Sequence, residues 1–177
     1  MRSRRAAKRC VSAFTLIELM VVIALLAILA TIAVPALQET IKSNRVTSQN
    51  NEIASLLAFG KSEAIRRSSE ASVIISETDG GWAGAVFLAG VGETAQGCPD
   101  GALRCARGDR VQLDSGLSAT FNNRGYLTPF RVQAVYLEHD NCSSQRQRRR
   151  IEILPTGQVN SCSPNDCAQT LEEELCP

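Results

Sequence analysis

Little in this chain points to catalysis. It contains one histidine, His139, and no CxxC pair, so the usual spacing of a zinc site is missing. It has neither a GxGxxG turn nor a P-loop, which removes the common glycine-rich phosphate cradles, and it has no internal repeat. His139 could form a nucleophilic dyad with Cys142 only if that cysteine is a free thiol. No metal, cofactor or catalytic constellation is therefore expected. Acids are absent from residues 1–13, which carry Arg2, Arg4, Arg5, Lys8 and Arg9. Without those five cations Lys+Arg falls from 19 to 14 against 18 acids, leaving −4. The remainder is mildly acidic, which disfavours bulk attraction to nucleic acid.

What the chain does have is one long apolar run. Phe14 to Val34 is 21 residues, apolar except for Thr15, Glu18 and Thr31. At ~1.5 Å per residue a helix here crosses a ~30 Å hydrocarbon core. Its length and the lack of a small-x-small cleavage pattern before Pro35 distinguish it from an ordinary secretory signal. Glu18 lies inside it, one turn from the start, where an unpaired charge in lipid costs roughly 2.5–3.5 kcal/mol. That carboxylate calls for a partner. The basic residues before the span keep the N-terminus cytoplasmic, giving a single pass that sends everything after Val34 to the other side. Cys98, Cys105, Cys142, Cys162, Cys167 and Cys176 then face an oxidising compartment, while Cys10 precedes the span. Three disulfides suit an even number, although six cysteines allow 15 pairings.

Pro35 predicts a kink or local unwinding, not an end. Beyond it Ile53, Leu56, Leu57, Gly60, Ala64 and Ile65 recur at helical spacing. A helix from Phe14 to about Ser68 would be ~80 Å long. The remainder reads as short strands. Ser72–Ser76 and Trp82–Leu88 flank the turn residues Asp79-Gly80-Gly81, a hairpin. Strands are also expected at Arg110–Leu113, Leu117–Phe121, Phe130–Glu138, Arg149–Leu154 and Gln158–Ser161, assembled into an antiparallel sheet. Gly90–Asp109 reads as a surface loop stapled by Cys98 and Cys105. The segments are thus 1–13, an apolar helix 14–34, its amphipathic continuation 35–68 and a β-rich domain 69–177. Proximity favours pairing 98–105, 142–162 and 167–176, with Cys142 and Cys162 expected to flank neighbouring strands.

The junction Ser12-Ala13-Phe14-Thr15-Leu16-Ile17-Glu18-Leu19 resembles the type IV prepilin signal, with Ala13 where that family normally has Gly. Together with Ser43–Val46 (SNRV), Lys61–Arg67 (KSEAIRR), Phe121–Gly125 (FNNRG) and Arg148–Val159 (RRRIEILPTGQV), the chain resembles the GspH/FimT family of minor pilins and pseudopilins. The resemblance implies an α+β type IV pilin fold, a long N-terminal helix packed on an antiparallel sheet domain. It implies cleavage by prepilin peptidase between Ala13 and Phe14, N-methylation of Phe14, and a role for Glu18 in neutralising an N-terminal amine during docking. It also implies other major and minor pilins as partners, and location first in the inner membrane, single-pass with the C-terminal domain periplasmic, and then in a pilus at the cell surface.

One basic cluster raises an alternative. Arg146, Arg148 and Arg150 alternate, so in strand geometry they share a face with Arg149 opposite, and guanidinium rows suit phosphate oxygens. DNA is therefore an alternative partner. Against it, nearby acids such as Glu138 and Glu152 can pair with these arginines. The Gly-Arg-x-Arg motif of DNA-binding relatives is here Gly157-Gln158-Val159-Asn160. A type II secretion pseudopilin is a further alternative that shares the same structural logic.

Overall fold

A computed structural model of the chain describes residues 14–88, 98–142 and 147–163. The chain divides into two compact units, residues 1–39 and 40–177. Helix α1, Leu16–Arg67, contributes its first turns to one and its remaining turns to the other. Pro35 lies inside it, and the helix passes that residue without the local unwinding anticipated from the missing amide donor. A single lost hydrogen bond is absorbed by the intact turns on either side.

Two features end α1. Ser68 takes a left-handed backbone (φ 50°), and its amide donates to Ile65 O while the Ser69 amide donates to Ala64 O. This is the Schellman pattern, with serine where glycine is usual. Glu63, one turn earlier, accepts from the guanidinium groups of Arg66 and Arg67, cations favoured at a helix C-terminus by its dipole.

In the second unit one face of α1 is buried: Val46, Asn50, Ile53, Leu56, Leu57, Gly60, Glu63 and Ala64. Their three- and four-residue steps keep them on one stripe. Ile65, expected in that stripe, is exposed, because the buried line runs through 60 and 64 and residue 65 is turned past its edge. At Gly60 a side chain would collide with Val73 Cγ2, so glycine sets how closely helix and sheet approach.

Among the described residues nine strands follow: β1 Ala71–Thr78, β2 Gly81–Leu88, β3 Arg104–Asp109, β4 Val111–Leu113, β5 Leu117–Phe121, β6 Leu127–Thr128, β7 Gln133–His139, β8 Arg148–Ile153 and β9 Val159–Cys162. They form two antiparallel sheets, ordered β3-β2-β1-β5-β6 and β4-β7-β8-β9, where one sheet was expected. The division comes at Asp114-Ser115-Gly116, which does not fold β4 back onto β5. Instead Asp114 Oδ1 accepts the Tyr136 amide at 2.9 Å and holds β4 against β7. The β1–β2 hairpin closes through Asp79-Gly80, with Gly80 at φ 83°.

Alternate residues of both sheets meet α1 in one core containing Val73, Ile75, Trp82, Phe121, Val135, Leu137, Ile151 and Ile153. Part of the expected Gly90–Asp109 loop is strand. Arg104–Asp109 pairs with β2 from Val86 to Gly81, although RCARGD has no β-branched residue. Main-chain pairing with β2 supplies what propensity lacks. The Cys98–Cys105 disulfide ties its start. Trp82 Nε1 donates to Gln49 Oε1 at 2.8 Å and Gln49 Nε2 donates to Asp109 O at 2.7 Å, stitching helix, β2 and the end of β3 together.

Candidate functional site

The apolar half of α1 is the first candidate. Phe14, Leu16, Ile17, Leu19 and every large apolar residue on to Leu37 are exposed. An 18-residue window in this helix is hydrophobic enough to cross a membrane. Its start is built by Thr15, whose Oγ1 accepts the Glu18 amide at 3.2 Å. Thr15 is thus the N-cap and Glu18 the third helical residue, the spacing of a capping box. The Thr-x-x-Glu pattern is the local sequence signal of this cap. Glu18 is exposed in the first turn of α1. Ala13 lies outside the described residues.

The second candidate is the basic strand β8. Arg148 and Arg150 are buried on one face, both over the Tyr136 ring, at 4.9 and 5.4 Å from its centroid. Arg148 Nε lies 3.5 Å from Glu138 Oε2, and Arg150 lies 3.9 Å from Glu152, whose side chain is 1% exposed. Arg149 points the opposite way, donating to Thr47 Oγ1 on α1 and to Ser163 Oγ. The alternation expected from the spacing is present, and it turns two arginines toward acids and an aromatic ring. Arg146 lies outside the described residues.

The cysteines and His139 complete the search. Cys142 and Cys162 are both disulfide-bonded, so Cys142 offers no thiol to a dyad. Cys142 stands between β7 and β8 in the chain and Cys162 ends β9, which pairs with β8, so the two cysteines flank neighbouring strands as expected. Cys167 and Cys176 lie outside the described residues. His139 is buried at the end of β7, and its Nδ1 accepts the Asn141 amide at 3.2 Å. Burial lowers its pKa, opposed by Asp140 and reinforced by Lys42, Arg45 and Arg110. Glu63 is held below the ordinary carboxylate range by hydrogen bonds from Arg66 and Arg67. Among the described residues no group of three His, Cys, Asp or Glu side chains could hold a metal.

A cleft between α1 and β3 is lined by Gln49, Glu52, Trp82, Arg107 and Asp109 among others. Its charges are mixed and largely satisfied across it, with Arg104 3.5 Å from Glu52 and Arg45 3.8 Å from Asp109. It brings together no reactive pair.

Comparison with known proteins agrees with this picture. Residues 8–34 match the prokaryotic N-terminal methylation motif, and residues 49–157 match the family described as Type II transport protein GspH. No curated protein matches the chain in sequence. Two crystal forms of the type IV minor pilin FimU of Pseudomonas aeruginosa, strain PAO1, share its fold at 20% identity. One has a TM-score of 0.52 over 68% of this chain and 98% of that one; the other has 0.51 over 66% and 87%. The GspH match spans more than half of the sequence and covers most of the helix-and-sheet unit described above; the chain belongs to the GspH family and has a type IV pilin fold.

Proposed function

We propose that this chain is a minor pilin, stored in the inner membrane by the apolar half of α1 and drawn from there into a type IV pilus, where it takes part in starting or capping the filament. The observation that carries this reading is the exposure of the whole apolar run beside a unit with its own complete core. Lipid covers such a surface before assembly, and the apolar helices of neighbouring subunits cover it afterwards. Glu18, one turn inside the run, supplies the charge that pairs with the N-terminal amine freed at Phe14 once prepilin peptidase has cut after Ala13. The carboxylate is then neutralised on docking, which removes the cost of holding it in an apolar filament core.

Replacing Glu18 with Ala tests the reading. The variant is expected to remain in the membrane fraction and to vanish from sheared filaments, as read by immunoblotting of both. Normal incorporation of the variant would falsify the docking role.

A second reading, a type II secretion pseudopilin, is favoured by the description of the matching family. Recovery of the chain with surface pili, and not with a secretion pseudopilus, separates the two. DNA uptake receives less support, because Arg148 and Arg150 are buried against Tyr136 and accompanied by Glu138 and Glu152. A phosphate backbone would have to displace those acids before it could reach them.

A further inference from the structure

Among the described residues of the second unit, the exposed large apolar side chains are Ile41, Ile65, Tyr126, Phe130 and Val132. Ile65 borders Gly125, and the last three lie on the segment that follows that glycine. Gly125 is so close to Ile65 that a Cβ there would sit 2.9 Å from Ile65 Cδ1, and Tyr126 follows it directly. Tyr126 and Phe130 meet edge to face, with ring centroids 6.2 Å apart, and Val132 is two residues further on. Phe130 is 67% exposed, a large aromatic surface to leave in water.

The charge around this patch is one-sided. Residues 124–132, RGYLTPFRV, hold two arginines and no acid. Arg124 and Arg131 are exposed and form no ion pair among the described residues. Nearby at the end of α1, Arg66 and Arg67 share the single carboxylate of Glu63. Glu70, immediately before β1, is a further acid near this end of the sheet, so with Glu63 it faces four arginines. Exposed aromatics ringed by arginine are the composition of an interface centre, where such residues carry most of the binding energy.

We propose that Ile65, Tyr126, Phe130 and Val132, flanked by Arg124 and Arg131, form a lateral docking surface for the globular domain of a neighbouring pilin-fold subunit that presents carboxylates around an apolar contact. The proposal rests on the filament reading above. A protein partner suits the patch better than a nucleic acid: four apolar side chains dominate it, only two cations lack an acid, and the chain beyond residue 13 carries −4.

The test uses the full chain in cells that assemble the filament. A photo-reactive phenylalanine derivative replaces Phe130, or Ile28 in the apolar helix, or Gln112 on β4 as a control. Irradiation is expected to join the Phe130 derivative to another pilin subunit with a yield about tenfold above that from Gln112. Exchanging both Arg124 and Arg131 for Glu should lower that yield about tenfold, while exchanging both for Lys should keep most of it. Equal thermal unfolding of these variants shows that the fold is intact. Adducts from Ile28 with none from Phe130 would sink the docking surface and leave the filament reading standing. Adducts from neither position would sink both. A Phe130 adduct with DNA, or a yield indifferent to charge reversal, would overturn the acidic protein partner.

Discussion

The two units of this chain hide apolar side chains by opposite means. In residues 40–177 the stripe of α1 is covered by its own sheets, and Ile53, Leu56, Leu57, Phe121 and Ile153 are fully buried. In residues 14–39 none of the described residues covers Leu25, Leu26, Ile28 or Leu29, all exposed. One helix therefore carries a stripe that folding satisfies and an all-round apolar surface that only lipid or other subunits satisfy. The difference teaches that the stability of the second unit is written on one half of α1, which leaves the other half free for the assembly role proposed above.

That separation can be broken from either side. Phe121→Ala, in the core of the second unit, should lower unfolding free energy by about 3–5 kcal/mol, read by thermal or denaturant unfolding of the full chain in detergent. Leu25→Ala should leave the same transition in place while reducing recovery in filaments. If Leu25→Ala shifted the unfolding as far as Phe121→Ala, the two halves would not be independent.

Removing the Cys98–Cys105 bridge by paired serine substitution should cost about 2–2.5 kcal/mol, from the loop entropy it removes from the unfolded chain. The loss should appear first as protease sensitivity near β3, and membrane retention should not change.

Acidification should weaken the second unit selectively. The pKa of His139 is lowered in the fold, so the unfolded chain takes up the proton first. Its contribution is complete above the unfolded value of about 6.5 and is lost as pH falls below it. Glu63, also lowered, contributes above its unfolded value near 4.5 and loses that contribution as pH falls further. His139→Gln should flatten the first part of the stability curve and Glu63→Gln the second. A curve unchanged by both substitutions would refute these assignments. The smallest effect belongs to Ser68→Gly, expected to stabilise by about 0.5–1 kcal/mol because Ser68 already holds a left-handed backbone. A loss of stability there would mean that the serine side chain contributes more than its backbone costs.

The apolar run, the helix through to Arg67, the β1–β2 hairpin and most strand positions were legible in the sequence, since length, period and turn residues are local signals. The seven-residue spacing of Cys98 and Cys105 likewise suggested their pairing. Arg104–Asp109 was not legible as a strand, because RCARGD becomes one only through pairing with β2. Nor was Leu127–Thr128, two residues whose partners lie at Thr120 and Phe121.

What the sequence by itself determined is the division of labour: twenty-one nearly uninterrupted apolar residues admit no water-exposed folded arrangement, and a stripe at 3.6-residue spacing demands a cover. What only tertiary structure decided is which side chains that cover reaches. Arg148 and Arg150 alternate in the sequence as a phosphate-binding row does, yet Tyr136 and Glu138 meet them because β7 and β8 pair in one particular register, and Glu152 shares their face of β8. Ile65 reads as core, yet one helical step beyond Ala64 places it outside, against Gly125. Burial and charge pairing are properties of neighbours distant in the chain, and those neighbours are chosen only when the sheets close on the helix.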